Sequence, residues 1–177
     1  MKQPGKGTPE AILETAQRVG ALSTGDFTLS SGQHSSYYFD GRLLTLSPQG
    51  ARLVAEVLLP VVRAAGADAV GGPTLGGDPI VSALAMLSAQ DGGPEVPAFI
   101  VRKETKDHGG GRLIEGPLRE GAKVAIVDDT CSTGGSLEHA CHAAEAEGHE
   151  VVLVACILDR HQGGSEAFTA RGYPFHA

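Results

Sequence analysis

The chain has 177 residues, 41% of them hydrophobic and 20% charged, a balance that allows one ordinary domain, residues 1–177, with a packed core. Its formal net charge of -7 argues against a nucleic-acid coat and against attachment to an anionic membrane surface. The three cysteines, Cys131, Cys141 and Cys156, contain no CxxC pair, so neither a disulfide framework nor a zinc knuckle is indicated, and a reducing cytoplasm is the expected location. Met1 to Gly7 contains no apolar run of the signal-peptide kind, and the longest apolar stretches are strand-sized or interrupted by charge, so no membrane span is expected.

In chain order, Thr8-Pro9-Glu10 supplies a cap and a proline at the first helical position, which predicts a helix to about Leu22. Phe27 to Leu29 and Tyr37 to Phe39 read as short strands around a Ser31-Gly32 turn. Ser47-Pro48 repeats the cap signal, and Ala51, Val54, Ala55 and Leu58 recur at helical spacing until Pro60, which should kink or shorten the helix. Ala69 to Gly71 predicts a strand, the loop 72–78 follows, and Ile80, Val81, Leu84 and Leu87 mark the next helix. Ala98 to Val101, Val124 to Val127 and Val151 to Leu158 are strands of the fully buried kind. The helix before the last of them carries Leu137, Ala140, Cys141 and Ala144 and closes at Gly148. Such alternation predicts an α/β fold, a mostly parallel central sheet flanked by helices. Ligands of such sheets sit beyond the carboxyl ends of the strands, which here open into the segments 72–78, 102–115 and 128–136.

The strongest chemical signal runs from Val124 to Ser136. An apolar strand delivers two adjacent carboxylates, Asp128 and Asp129, to a sheet edge. The hydroxyl residues Thr130, Ser132 and Thr133, then Gly134, Gly135 and Ser136, lead into a helix N-terminus. Amides at such a terminus attract an anion, and glycines let the backbone surround it. The carboxylates would repel a phosphate, so they suit vicinal hydroxyls or a metal ion. A sugar phosphate answers both halves. The lysine of a Walker loop is absent.

The second signal is Arg102 to Arg112, with four Lys/Arg against two acids and three successive glycines. Alone it reads equally as a solvated charged loop. Beside the acid-and-glycine motif, a cationic, mobile segment is what a departing pyrophosphate needs. His139 and His142 flank Cys141 on a helix, but Cys141 belongs to the apolar stripe, so no metal site is expected there.

Val124 to Ser136 resembles the phosphoribosyl pyrophosphate (PRPP) motif of the type I phosphoribosyltransferases. Arg102-Lys103-x-x-Lys106-x-His108-Gly109 resembles the catalytic loop of the orotate phosphoribosyltransferases. The resemblance covers about Thr8 to Pro174. It implies the type I phosphoribosyltransferase fold with a small N-terminal hood contributed mainly by about residues 8–45. It also implies transfer of ribose 5-phosphate from PRPP to orotate, with Mg²⁺ held mainly by the substrates and no protein metal site. By position, Asp128 and Asp129 would bind ribose, and Thr130, Cys131, Ser132, Thr133, Gly134, Gly135 and Ser136 would cradle the 5-phosphate. Arg102, Lys103, Lys106 and His108 would contact pyrophosphate, with Lys106, Asp128 and Asp129 the catalytic set. Thr74, Leu75 and Gly76 would form a pyrophosphate loop. Tyr38, Phe39, Ser132 and Arg160 would meet orotate, Arg160 being a planar bidentate partner for its carboxylate. A homodimer sharing the catalytic loop across subunits is implied in the same way. Two positions depart from the family pattern: Ser30 and Gly76 stand where relatives place basic residues, and His34 or Arg42 would compensate. The alternatives are a phosphoribosyltransferase for another base, or a non-catalytic PRPP-sensing regulator. Acidity and the intact cationic loop count against the regulator.

Overall fold

The structure, a computed structural model, describes residues 7–28, 34–104 and 113–177. The chain opens with helix α1, Pro9–Arg18, whose Thr8 hydroxyl accepts from the Ala11 amide at 3.2 Å. The helix stops short of Leu22, because Gly20 takes a left-handed φ of 75° and turns the chain into β1. Strands β1, Leu22–Thr28, and β2, His34–Phe39, pair antiparallel as a separate ribbon, and the Ser31-Gly32 turn lies outside the described residues.

A short helix α2, Gly41–Thr45, follows, capped by the Asp40 carboxylate on the Arg42 amide. Helix α3, Pro48–Ala64, starts where Ser47 accepts from Gly50 at 3.1 Å. It runs through Pro60 rather than ending there. Pro60 is exposed, so the N–H it lacks falls on the side where water can serve the orphaned carbonyl.

Six strands form the main sheet in the order β5-β4-β3-β6-β7-β8. They are β3 Ala69–Pro73, β4 Ala98–Val101, β5 Ile114–Glu115, β6 Lys123–Cys131, β7 Glu150–Asp159 and β8 Phe175–His176. All neighbours are parallel except β5 on β4. Helix α4, Gly77–Ser88, joins α1 and α3 on one face. Helices α5, Gly135–Ala146, and α6, Gly164–Ala170, cover the other. Strand β6 shows why both faces close: Ala125 and Val127 enter the core under α3 and α4, while Val124 and Ile126 enter the core under α5. All four are fully buried, each such aliphatic side chain contributing about 1.5–3 kcal/mol for the larger ones.

Strand β6 is longer than its apolar run. Asp128 pairs with Cys156, Thr130 with Leu158 and Cys131 with Asp159, so the acids belong to the strand instead of following it. A ten-residue β7 offers ladder partners as far as Asp159, and the backbone takes them despite the polar side chains.

Candidate active site

At the carboxyl ends of β3 and β6, beneath the β1–β2 ribbon, lies an open cleft of about 710 Å³. Its floor is the acid pair. Asp128 is only 6% exposed, and its Oδ1 accepts from the Asp129 amide at 2.9 Å. Burial, and then the neighbouring Asp129 charge, push the Asp128 carboxyl up to about 7. Burial and Asp40 raise Asp129, while Arg42 pulls it back. Two carboxylates held this far from water are primed to accept hydrogen bonds from hydroxyl groups that arrive with a ligand.

The loop after β3 presses onto this pair. A Cβ at Gly76 would lie 2.2 Å from Asp128 Oδ1 and 2.9 Å from Asp129 Oδ1, so any side chain there would displace the acids. That close approach leaves no room for a side chain at residue 76 unless the acids shift. The Thr74-Leu75 peptide is cis, and the Thr74 hydroxyl donates to Asp78 Oδ2 at 2.7 Å. The other Asp78 oxygen is buried without a hydrogen-bond partner among the described residues. Thr74, Leu75 and Gly76 all line the cleft.

On the far side of the acids, Thr130, Ser132, Thr133 and Ser136 form the wall at the start of α5. Gly134 caps that helix with a left-handed φ of 85°, and a Cβ there would meet the Phe168 ring at 2.9 Å. The Ser132 carbonyl accepts from Gly164 at 3.0 Å, which ties the loop to the start of α6. The first turn of α5 presents amides, with hydroxyls beside them, of the kind that attract an anion. Cys131, expected to share in this wall, does not line it. Its side chain is fully buried in the core under α5 that also contains Leu137 and Phe168. Burial also raises its thiol to about 11, which makes it inert.

The ribbon supplies the other end of the cleft. Tyr38 and Phe39 line it, with the Tyr38 and Phe27 rings 5.8 Å apart. Arg160 enters from the end of β7. Its guanidinium lies 5.1 Å over the Tyr37 ring, and its amide donates to the Cys131 carbonyl at 2.8 Å. Thr28, Asp40, Arg42 and Gln162 also line the cleft, and of these the sequence reading named only Arg42, as a compensating basic residue. Only Asp40 and Arg42 left a trace in the sequence: an acid that can cap Gly41-Arg42-Leu43-Leu44 at the end of a strand.

Lys103 stands at the edge of the cleft and of an adjoining recess of about 620 Å³ shared with Thr74, Asp78 and Arg102. Arg102 pairs with Glu115 at 3.5 Å, and its carbonyl accepts from His139 Nε2 at 2.9 Å in the tautomer that protonates that nitrogen. His139 therefore braces the base of the cationic segment. Lys106 and His108 lie outside the described residues. A separate recess of about 270 Å³ between α1, α3 and the end of β7 is apolar apart from Cys156 and His176, so it lacks the groups that chemistry requires.

A family model described as phosphoribosyl transferase domain matches residues 44–169. An orotate phosphoribosyltransferase of Nostoc sp. is 46% identical over 158 residues, covering 89% of this chain and 76% of its own. One of Rhodopirellula baltica is 43% identical over 168 residues, covering 92% and 84%. The crystal structure of the Mycobacterium tuberculosis orotate phosphoribosyltransferase in complex with PRPP superposes with a TM-score of 0.76 at 36% identity, covering 94% of this chain and 93% of that one. With an acid pair, an anion-binding helix start and a cationic flank meeting at one sheet edge, the chain belongs to the phosphoribosyltransferase family, and within it to the orotate phosphoribosyltransferases.

Proposed function

We propose that the cleft transfers ribose 5-phosphate from PRPP to orotate, giving orotidine 5′-monophosphate and pyrophosphate, by the following division of labour. Asp128 and Asp129 hold the ribose hydroxyls. Thr130 to Ser136 bind the 5-phosphate through hydroxyls and the amides of the α5 start, Cys131 contributing backbone only. Thr74, Leu75 and Gly76 lie along the pyrophosphate, and Arg102, Lys103, Lys106 and His108 supply cations to it. Tyr38 and Phe39 flank the flat pyrimidine and Arg160 takes its carboxylate, with Ser132 nearby. The observation that carries this reading is that buried Asp128 and half-buried Asp129 line one cleft with Thr130, Ser132, Thr133 and Ser136, an arrangement that suits a sugar and its phosphate together.

The N1–C1 bond forms on one face of the sugar as the bond to pyrophosphate breaks on the other. The transition state carries oxocarbenium character, as in glycoside cleavage. No covalent nucleophile is needed. The protein holds the two reactants in line, and its cations meet charge that grows on the leaving group. Mg²⁺ fits the oxygen donors of the acid pair and of the substrates. Pyrophosphate and ribose oxygens would be its main ligands. A bound Mg²⁺ supplies charge neutralisation on pyrophosphate.

The chain works as one phosphoribosyltransferase domain in this reading, with the hood from about residues 8–45. It pairs as a homodimer in the cytoplasm, the 102–115 segment reaching the partner's cleft. No helix among the described residues is long and apolar enough to cross a membrane. The deciding experiment follows orotate absorbance with PRPP and Mg²⁺, beside uracil and hypoxanthine. Consumption of orotate alone is expected. Turnover of another base in its place, or PRPP binding with no turnover, would replace this reading.

A further inference from the structure

The cleft is an acidic place for anionic substrates. Among the described residues, Asp40, Asp128 and Asp129 line it together with the cations Lys103, Arg160 and Arg42. Lys103 belongs to the pyrophosphate end, where it also borders the recess shared with Thr74 and Arg102. Arg160 lies over Tyr37. Arg42 is the third of these described cations. It sits on α2, which packs against β6, and its charge is felt by both Tyr38 and Asp129. It therefore stands where the base end of the cleft meets the sugar end.

Its orientation is set by Asp40. Nε donates to Oδ1 at 3.0 Å and Nη2 to Oδ2 at 3.1 Å, a two-point grip on one edge of the guanidinium. Arginine has five N–H donors. Two are engaged by Asp40, and among the described residues three are left, on the opposite edge of a side chain that is 52% exposed. A fixed arginine with its outer edge unspent is arranged for recognition more than for stability, since a half-exposed ion pair adds little to the fold. His34, the other basic residue near the ribbon, does not line the cleft and faces Asp26 at 3.3 Å.

We propose that Arg42 is a base-binding residue: its outer N–H groups hold a ring carbonyl oxygen of the pyrimidine beside the glycosidic nitrogen, while Arg160 holds the carboxylate. This rests on the orotate reading given above. The acid partner fits the assignment. The Arg42 hydrogen bonds hold the Asp40 carboxyl below its usual range, so Asp40 stays ionised and keeps Arg42 aimed across the whole neutral range.

The test uses product inhibition, which reads the pyrimidine contact without turnover. Orotidine 5′-monophosphate carries the carboxylate and uridine 5′-monophosphate lacks it, while both carry the ring carbonyl. Turnover of orotate by the parent is measured first, so that failure there strikes the assigned reaction and not this contact. Arg42→Ala should weaken both nucleotides by about tenfold, the loss of one charged hydrogen bond, and leave PRPP affinity within about twofold. Arg160→Ala should weaken only the carboxylate-bearing nucleotide. Arg42→Lys, which keeps the charge and loses the fork, should fall between, and it serves if the alanine variant does not fold. Unchanged inhibition by both nucleotides in a folded variant would overturn the proposal. So would an equal loss of PRPP affinity, which would mark Arg42 as a general electrostatic contact.

Discussion

The two ends of the cleft are built on different principles. At the sheet edge, Asp128 is buried and Asp129 half-buried, the backbone of Gly76 closes over them, and Gly134 fits against Phe168 with no room for a methyl group. At the ribbon, Tyr38 is 45% exposed and Arg42 half exposed, and their partners are an aromatic neighbour and one carboxylate. The first region is a close-packed mould, where a change of one carbon has nowhere to go. The second is an open surface that recognises by stacking and by directed hydrogen bonds. In the proposed reaction the mould would grip the sugar phosphate, and the surface would read the base.

Several substitutions would break or sharpen that contrast. The largest effect is expected outside both regions. In Lys106→Ala, steady-state kcat should fall by roughly a hundredfold or more while PRPP affinity changes far less, because the leaving group gains charge only in the transition state. Equal kcat in variant and parent would remove Lys106 from its role. Next comes Gly76→Ala, whose new carbon would stand 2.2 Å from an Asp128 oxygen. Overpacking of this kind costs about 1–3 kcal/mol, and calorimetry should show PRPP affinity reduced by about tenfold or more. Undiminished affinity would show that the acids and the loop yield, and the contrast between mould and surface would fail.

Asp128→Asn tests the electrostatics of the mould. A carboxyl raised from 3.8 to about 7 costs the fold nothing below pH 4, where it is protonated folded or unfolded. Between about 4 and 7 the folded state holds a proton that the unfolded state has released, so stability from this group declines as pH rises, and above 7 the whole penalty is present. Without ligands, the asparagine variant should therefore melt higher than the parent at pH 7.5, by an amount on the order of a few kcal/mol, and the gap should close toward pH 4. Its PRPP binding should drop at the same time, and in the parent that binding should strengthen as pH rises through 7. A variant that melts lower at pH 7.5 would show that Asp128 supports the fold, not a ligand. The smallest effect belongs to the ribbon: Tyr38→Leu should raise KM for orotate by a few fold, the worth of a stacking contact, and leave KM for PRPP unchanged. A large PRPP effect there would merge the two regions.

Much of this organisation is written along the chain. Residues 124–136 announce strand, acids and anion loop in sequence, because each step is a local matter of apolar run, charge and glycine. The caps at Thr8 and Ser47 mark their helices for the same reason. Other features depend on neighbours far away in sequence. The acids join the strand because β7 reaches as far as Asp159, and Cys131 enters the core under α5 although alternation from Val127 would send it to the other face. Helix α3 passes Pro60 because packing on its buried face, Val54 to Val62, outweighs one missing hydrogen bond on the outside. Two-residue strands such as β5 and β8 carry no periodicity and exist only as edges of an assembled sheet.

The amino-acid order by itself determined the chemistry available at the sheet edge, since local motifs carry their own hydrogen-bonding and charge. Only the tertiary structure decided which of those groups face a common space. It placed Arg42 in the cleft and His34 outside it, and it put an aspartate oxygen where a side chain of residue 76 would stand. Such decisions follow from the packing of distant segments against each other, and no local pattern encodes them.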